Sequence, residues 1–158
     1  MRRLPALILA LVCAALPRYA PAQHAHGVHG GSGAAADARA AVTLPAGLKA
    51  ATLANMRDHL LAVQQIQQAL AEARFDEAAT LAERRLGMSS MADHGAHEVA
   101  RYMPQGMREA GTAMHRSASR LAGVATDAAV SRDLRAPMAG LAELTATCVA
   151  CHSAYRLE

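Results

Sequence analysis

The sequence predicts an all-α fold, an antiparallel up-down-up-down four-helix bundle. Three observations lead there. Beyond residue 44 the chain is dominated by alanine, leucine, glutamine, glutamate and arginine, and no alternating β-branched run appears. Apolar residues recur at steps of three and four along successive segments. The joints between those segments are short, which makes neighbouring helices antiparallel.

Residues 1–22 are expected to be a secretory signal peptide. Met1-Arg2-Arg3 is a basic start, and Leu4 to Leu16 is an apolar run bounded by prolines. A membrane span needs about 20 apolar residues, so no membrane anchor is expected. Ala20-Pro21-Ala22 places small residues where a signal peptidase reads, and cleavage near Ala22 would deliver a periplasmic protein. Cys13 leaves with that leader. Residues 23–43 read as a flexible His/Gly-rich arm carrying His24, His26 and His29. Residues 44–158 form the helical domain.

The first helix is expected from Pro45 to Ala73, with Leu53, Met56, Leu60, Val63, Ile66 and Leu70 as its stripe. The second starts at Phe75-Asp76 and runs through Leu81 and Leu86 to Gly87. Residues 88–103 either resume it or form a short helix of their own. Pro104 restarts the chain, and a third helix reaches about Ala125 with Met107, Met114, Leu121 and Val124 on one side. The fourth spans about Ser131 to Tyr155, with Leu134, Met138, Leu141, Thr145, Cys148, His152 and Tyr155 in register. This bundle is thinly filled, because the whole chain has no Trp and a single Phe. Alanine-rich contacts bury little area, at roughly 25 cal/mol per Å², so a large apolar prosthetic group would complete the core.

Loss of the leader removes Arg2, Arg3 and Arg18 and no acid, so 16 basic residues fall to 13, against 13 acids. With no retained basic excess, a nucleic-acid partner is not expected. No nucleophile or acid/base constellation is evident, and an enzyme is not expected either.

The tail reads Cys148-Val149-Ala150-Cys151-His152. A disulfide there would close a loop too small to constrain the unfolded chain much. A thioredoxin-like pair expects a βαβ context, and none is visible. A zinc site needs about four ligands. C-x-x-C-H is instead the attachment pattern of c-type haem. Two thiols one helical turn apart can each add to a vinyl group on one porphyrin edge. His152, four residues after Cys148, shares that helix face and can ligate the iron.

The run C-V-A-C-H-S-A-Y-R near the end of a four-helix chain resembles the class II c-type cytochromes, the cytochrome c′ and c556 group. The resemblance covers roughly Pro45 to Glu158 and rests on the haem motif and the architecture. It implies a cytochrome domain over 44–158 with one covalent haem c, thioethers at Cys148 and Cys151, and His152 as proximal ligand. It offers Arg156 as a partner for a haem propionate, the alternative being a solvated terminal arginine. In c556-like members a methionine of the first helix completes the coordination, whereas c′ members block that position with Leu or Phe. Met56 is the expected distal ligand here, His59 a second candidate, and Leu60 a candidate blocking residue. Relatives in the group are often dimers, which makes a homodimer one expectation.

The stretch from Met88 to His115 departs from that pattern in its methionine and histidine content. Thioether and imidazole suit copper, and Met91, His94 and His97 are candidate ligands at i, i+3, i+6. Core methionines with incidental surface histidines are the alternative. Three functions suit these residues: a periplasmic electron carrier serving redox partner proteins, a five-coordinate binder of NO or CO, and a copper-handling protein. Lys49 is the only lysine, so no basic docking ring identifies the partner.

Overall fold

The structure, a computed structural model, describes residues 36–158. The expected leader, Cys13, His24, His26 and His29 lie outside the described residues. The described chain is helical in the main. Strand β1 (Ala40–Val42) leads into α1 (Ala46–Ala71), followed by α2 (Phe75–Leu81), α3 (Ala96–Ala100), α4 (Gln105–Ser131), α5 (Arg135–Ala154) and strand β2 (Tyr155–Leu157). None of these helices is long and apolar enough to cross a membrane.

Helix α4 packs along α5 and against α2, and α2 packs against α1. The main core joins Ile66 and Leu70 of α1 to Phe75, Leu86, Leu121, Leu141 and Leu144, with alanines filling the spaces between them. Gly140 brings α4 and α5 close, because a Cβ there would lie 3.2 to 3.4 Å from Leu121 and Val124. Arg85 bridges to α1 through Asp58 and Gln65.

Several boundaries differ from the sequence expectation. The second helix is α-helical only to Leu81 and continues as a π turn over Ala82–Leu86. Gly87 comes next in extended backbone, φ −72° and ψ −179°, and a 3₁₀ turn covers Met88–Ser90. Glu83 organises the break, with its carbonyl oxygen accepting from Ser89 Oγ at 3.0 Å and its carboxylate from Ser89 N at 3.2 Å. The third helix passes Ala125 to reach Ser131, since nothing interrupts its helix formers before Arg132 turns left-handed at φ 60°. The fourth starts at Arg135, where the Asp133 carboxylate accepts from the Arg135 amide at 2.9 Å. Leu134 and Met138, placed on its stripe, are exposed at 39% and 48%.

The strands were not expected. Ala40, Ala41 and Val42, assigned to the end of the arm, pair in parallel with Tyr155, Arg156 and Leu157. Val42, Leu44 and Met107 make a second small core with Met103, Cys151, Tyr155 and Leu157 around it. That cluster anchors the segment leaving α5. Tyr155 therefore belongs to β2 and not to the fourth helix.

Candidate functional site

The C-terminal turns of α5 carry polar side chains whose hydrogen bonds close locally. Thr145 Oγ1 donates to Leu141 O at 3.1 Å and Thr147 Oγ1 to Leu144 O at 2.6 Å. Such back-bonding lets short polar residues sit in an otherwise apolar helix. Cys148 and Cys151 lie further along the same helix as free, half-buried thiols. Burial pushes both thiol pKa values up, which keeps them protonated at neutral pH. His152, at the last turn, is exposed.

These three residues open onto one cavity of about 660 Å³. That is well within the range of small-molecule and cofactor sites, roughly 300–1,000 Å³. Its far side is α1, which contributes Met56, His59, Leu60 and Val63. Helix α4 supplies Met107, Met114 and His115, and the segment before it adds Leu86, Met91, His94 and Met103. The lining is predominantly apolar, and it reaches solvent at Leu60 and Val149, which are 72% and 65% exposed. Along α1 the predicted stripe divides: Ile66 and Leu70 are core, whereas Met56, Leu60 and Val63 face the cavity.

Three imidazoles meet on the cavity wall. His59 Nε2 lies 3.4 Å from His94 Nδ1. The His115 ring centroid is 5.5 Å from that of His94 and 6.1 Å from that of His59. His115 is buried, and its Nδ1 sits 2.8 Å from Leu86 O and 3.2 Å from Gly87 O. A carbonyl only accepts, so Nδ1 carries the proton and donates. Burial, reinforced by the neighbouring His94 and His115 rings, pushes the His59 pKa down to about 4. Burial first and His115 second lower that of His94. Both are neutral imidazoles at pH 7.

The structure thus brings Cys148, Cys151, His152, Met56 and His59 to one cavity. Arg156 behaves differently. It is absent from the lining; its guanidinium pairs with the Glu158 carboxylate at 2.7 Å and approaches Asp37 at 3.7 Å. The β2 pairing holds it there, with Nε buried and without a hydrogen-bond partner among the described residues. The copper trio is also rearranged. His97 is exposed at the rim, and His94 has turned to His59 instead. Among the described residues no three His, Cys, Asp or Glu side chains form a metal site by themselves.

The sequence includes His115 in its methionine- and histidine-rich stretch but does not set it apart as a ligand. The signal to be read was a histidine on the inner face of a helix, one residue after Met114 and one turn before Ser119, whose hydroxyl accepts from Met88 N at 3.0 Å. Comparison with protein-family models, with curated proteins and with solved structures finds no match to the chain.

Proposed function

We propose that the chain is a mono-haem c-type cytochrome that carries electrons, its helices forming a four-helix bundle of the class II kind. The observation that carries this reading is the placement of both thiols and the adjacent imidazole on a single apolar cavity of about 660 Å³. The donor set suits the group. Two unpaired thiols stand one turn apart, with an imidazole next to the second. Apolar side chains at the mouth lack a packing partner, as Leu60 and Val149 show by their exposure. Such exposed apolar groups beside a cavity are what a bound apolar ring would cover.

In this reading Cys148 and Cys151 would hold the group through thioethers, and a His152 ring nitrogen would bind its iron. Met56, half-buried on α1 across the cavity, would offer its thioether as the second iron ligand. Haem c supplies a one-electron Fe(III)/Fe(II) couple, which a Met/His pair places at higher potential than two histidines would. The protein's share is to hold both ligands on packed helices and to keep water away with the methionines and leucines of the wall. An exported, periplasmic chain with its leader removed near Ala22 belongs to the same proposal, because c-type haem is attached outside the cytoplasm.

The test is optical. Protein matured in a host that assembles c-type cytochromes should be red, with one haem per chain by pyridine haemochrome and no alkylatable thiol at Cys148 or Cys151. Its reduced spectrum should be low-spin and indifferent to CO. A colourless product with two free thiols would overturn the assignment. A high-spin spectrum that shifts with CO would keep the haem and replace the electron carrier by the gas binder.

A further inference from the structure

The wall of the cavity carries a second set of metal-binding atoms that haem attachment does not use. His59 projects from α1 and His94 from the segment after Ser90, and their facing nitrogens are 3.4 Å apart. That is long for an N–H···N hydrogen bond, since such bonds centre near ~3.0 Å. It equals the edge of a metal site: two nitrogens bound at about 2.0–2.1 Å to one ion, with a tetrahedral angle between them, lie about 3.3–3.4 Å apart. The approach is braced. Asn55, one turn before His59 on α1, donates through Nδ2 to the His94 carbonyl at 3.0 Å, which ties the two segments together beside the ring pair. Arg85 and Asp58 pair on the neighbouring residue of α1.

Two imidazoles alone do not complete a site; the His115 ring stands 5.5 Å from that of His94 with its Nδ1 bonded to the Leu86 carbonyl, and among the described residues no three His, Cys, Asp or Glu are placed to hold a metal together. Thioethers share the cavity wall with them. Met91 lies one turn before His94, begins that turn in right-handed helical backbone, and lines the same cavity. Imidazole together with thioether, without carboxylate, is a soft donor set that favours Cu(I) over magnesium, calcium or manganese. We propose that His59, His94 and Met91 form a Cu(I) site on the cavity wall. That assignment withdraws His59 as an iron ligand and leaves Met56 in the role. The site stands on its own residues, whether or not haem is attached at Cys148 and Cys151.

The experiment is an anaerobic titration of the purified, full-length protein with Cu(I) in competition with bathocuproine disulfonate, haem content being measured separately in each sample. One Cu(I) per chain is expected, with nitrogen and sulfur scatterers in its X-ray absorption spectrum. His59→Ala and His94→Ala should each weaken binding on the order of 100-fold or more, beyond the roughly 10–100-fold typical of losing an outer-shell partner. Met91→Leu should keep the fold by circular dichroism, remove the sulfur scatterer and weaken binding. His97→Ala should leave affinity unchanged. Absence of a stoichiometric Cu(I) site overturns the proposal. So does binding that survives the His59→Ala/His94→Ala pair, which would put the metal elsewhere, as on the histidine arm. A haem spectrum altered by His59→Ala would give that imidazole to iron and equally end it.

Discussion

His59 is held neutral by its surroundings, and that has a thermodynamic sign. Its pKa in the folded protein is about 4, against an ordinary 6.5. The unfolded chain therefore binds the proton first as acid is added, and stability falls as pH drops from about 6.5 toward 4. The ring is partly exposed, so we expect ~1–2 kcal/mol from this residue after solvent screening. Urea midpoints of metal-free protein between pH 7 and pH 4 should show the decline, and His59→Gln should flatten it; an equal decline in that variant would assign the pH dependence to other groups. Met56→Ala should turn a CO-indifferent reduced spectrum into a CO-sensitive one, and no spectral change would strike Met56 from the iron. That Cys148, Cys151 and His152 would share one site was legible in the sequence because they lie within one turn and a half of helix. The His59–His94 meeting was not, because it depends on where an irregular segment 35 residues away comes to rest.

The long helices were legible for the same local reason: an apolar period repeated over many residues outvotes weak propensity. The failures sit where a few residues decide. The π turn at 82–86 depends on the glycine at its end. At Gly87 a Cβ would lie 2.6 Å from Glu83 O, closer than atoms can approach. Gly87→Ala must push that stretch of backbone away from Glu83, loosening the Leu86 and Gly87 carbonyls from His115. We expect a loss of ~1–3 kcal/mol, read as a lower urea midpoint with an unchanged slope. A wild-type midpoint would show that the break tolerates a side chain. Three-residue strands escape a periodicity argument altogether, since β1 and β2 are too short for an in-out alternation to be read.

Taken as a whole, the molecule has a core built largely of alanine with a wide void beside it. The shortage of large side chains predicted such a deficit, although composition could not say where it would open. A ligand that fills it stabilises only the folded state. Haem-loaded protein should therefore melt well above a Cys148→Ser/Cys151→Ser variant made without haem, by roughly 10 °C if the gain is ~3 kcal/mol. Equal melting temperatures would mean that the void is filled by something other than the group attached at those thiols.

The parallel pairing of Ala40–Val42 with Tyr155–Leu157 zips the beginning of the described chain to its end. Contacts so remote in sequence form late, because the intervening loop must close first. Each strand has the other as its hydrogen-bonded neighbour, so a change that loosens residues 40–42 also frees residues 155–157 beyond α5. The cavity wall around Cys151 therefore feels a disturbance introduced more than a hundred residues earlier in the chain.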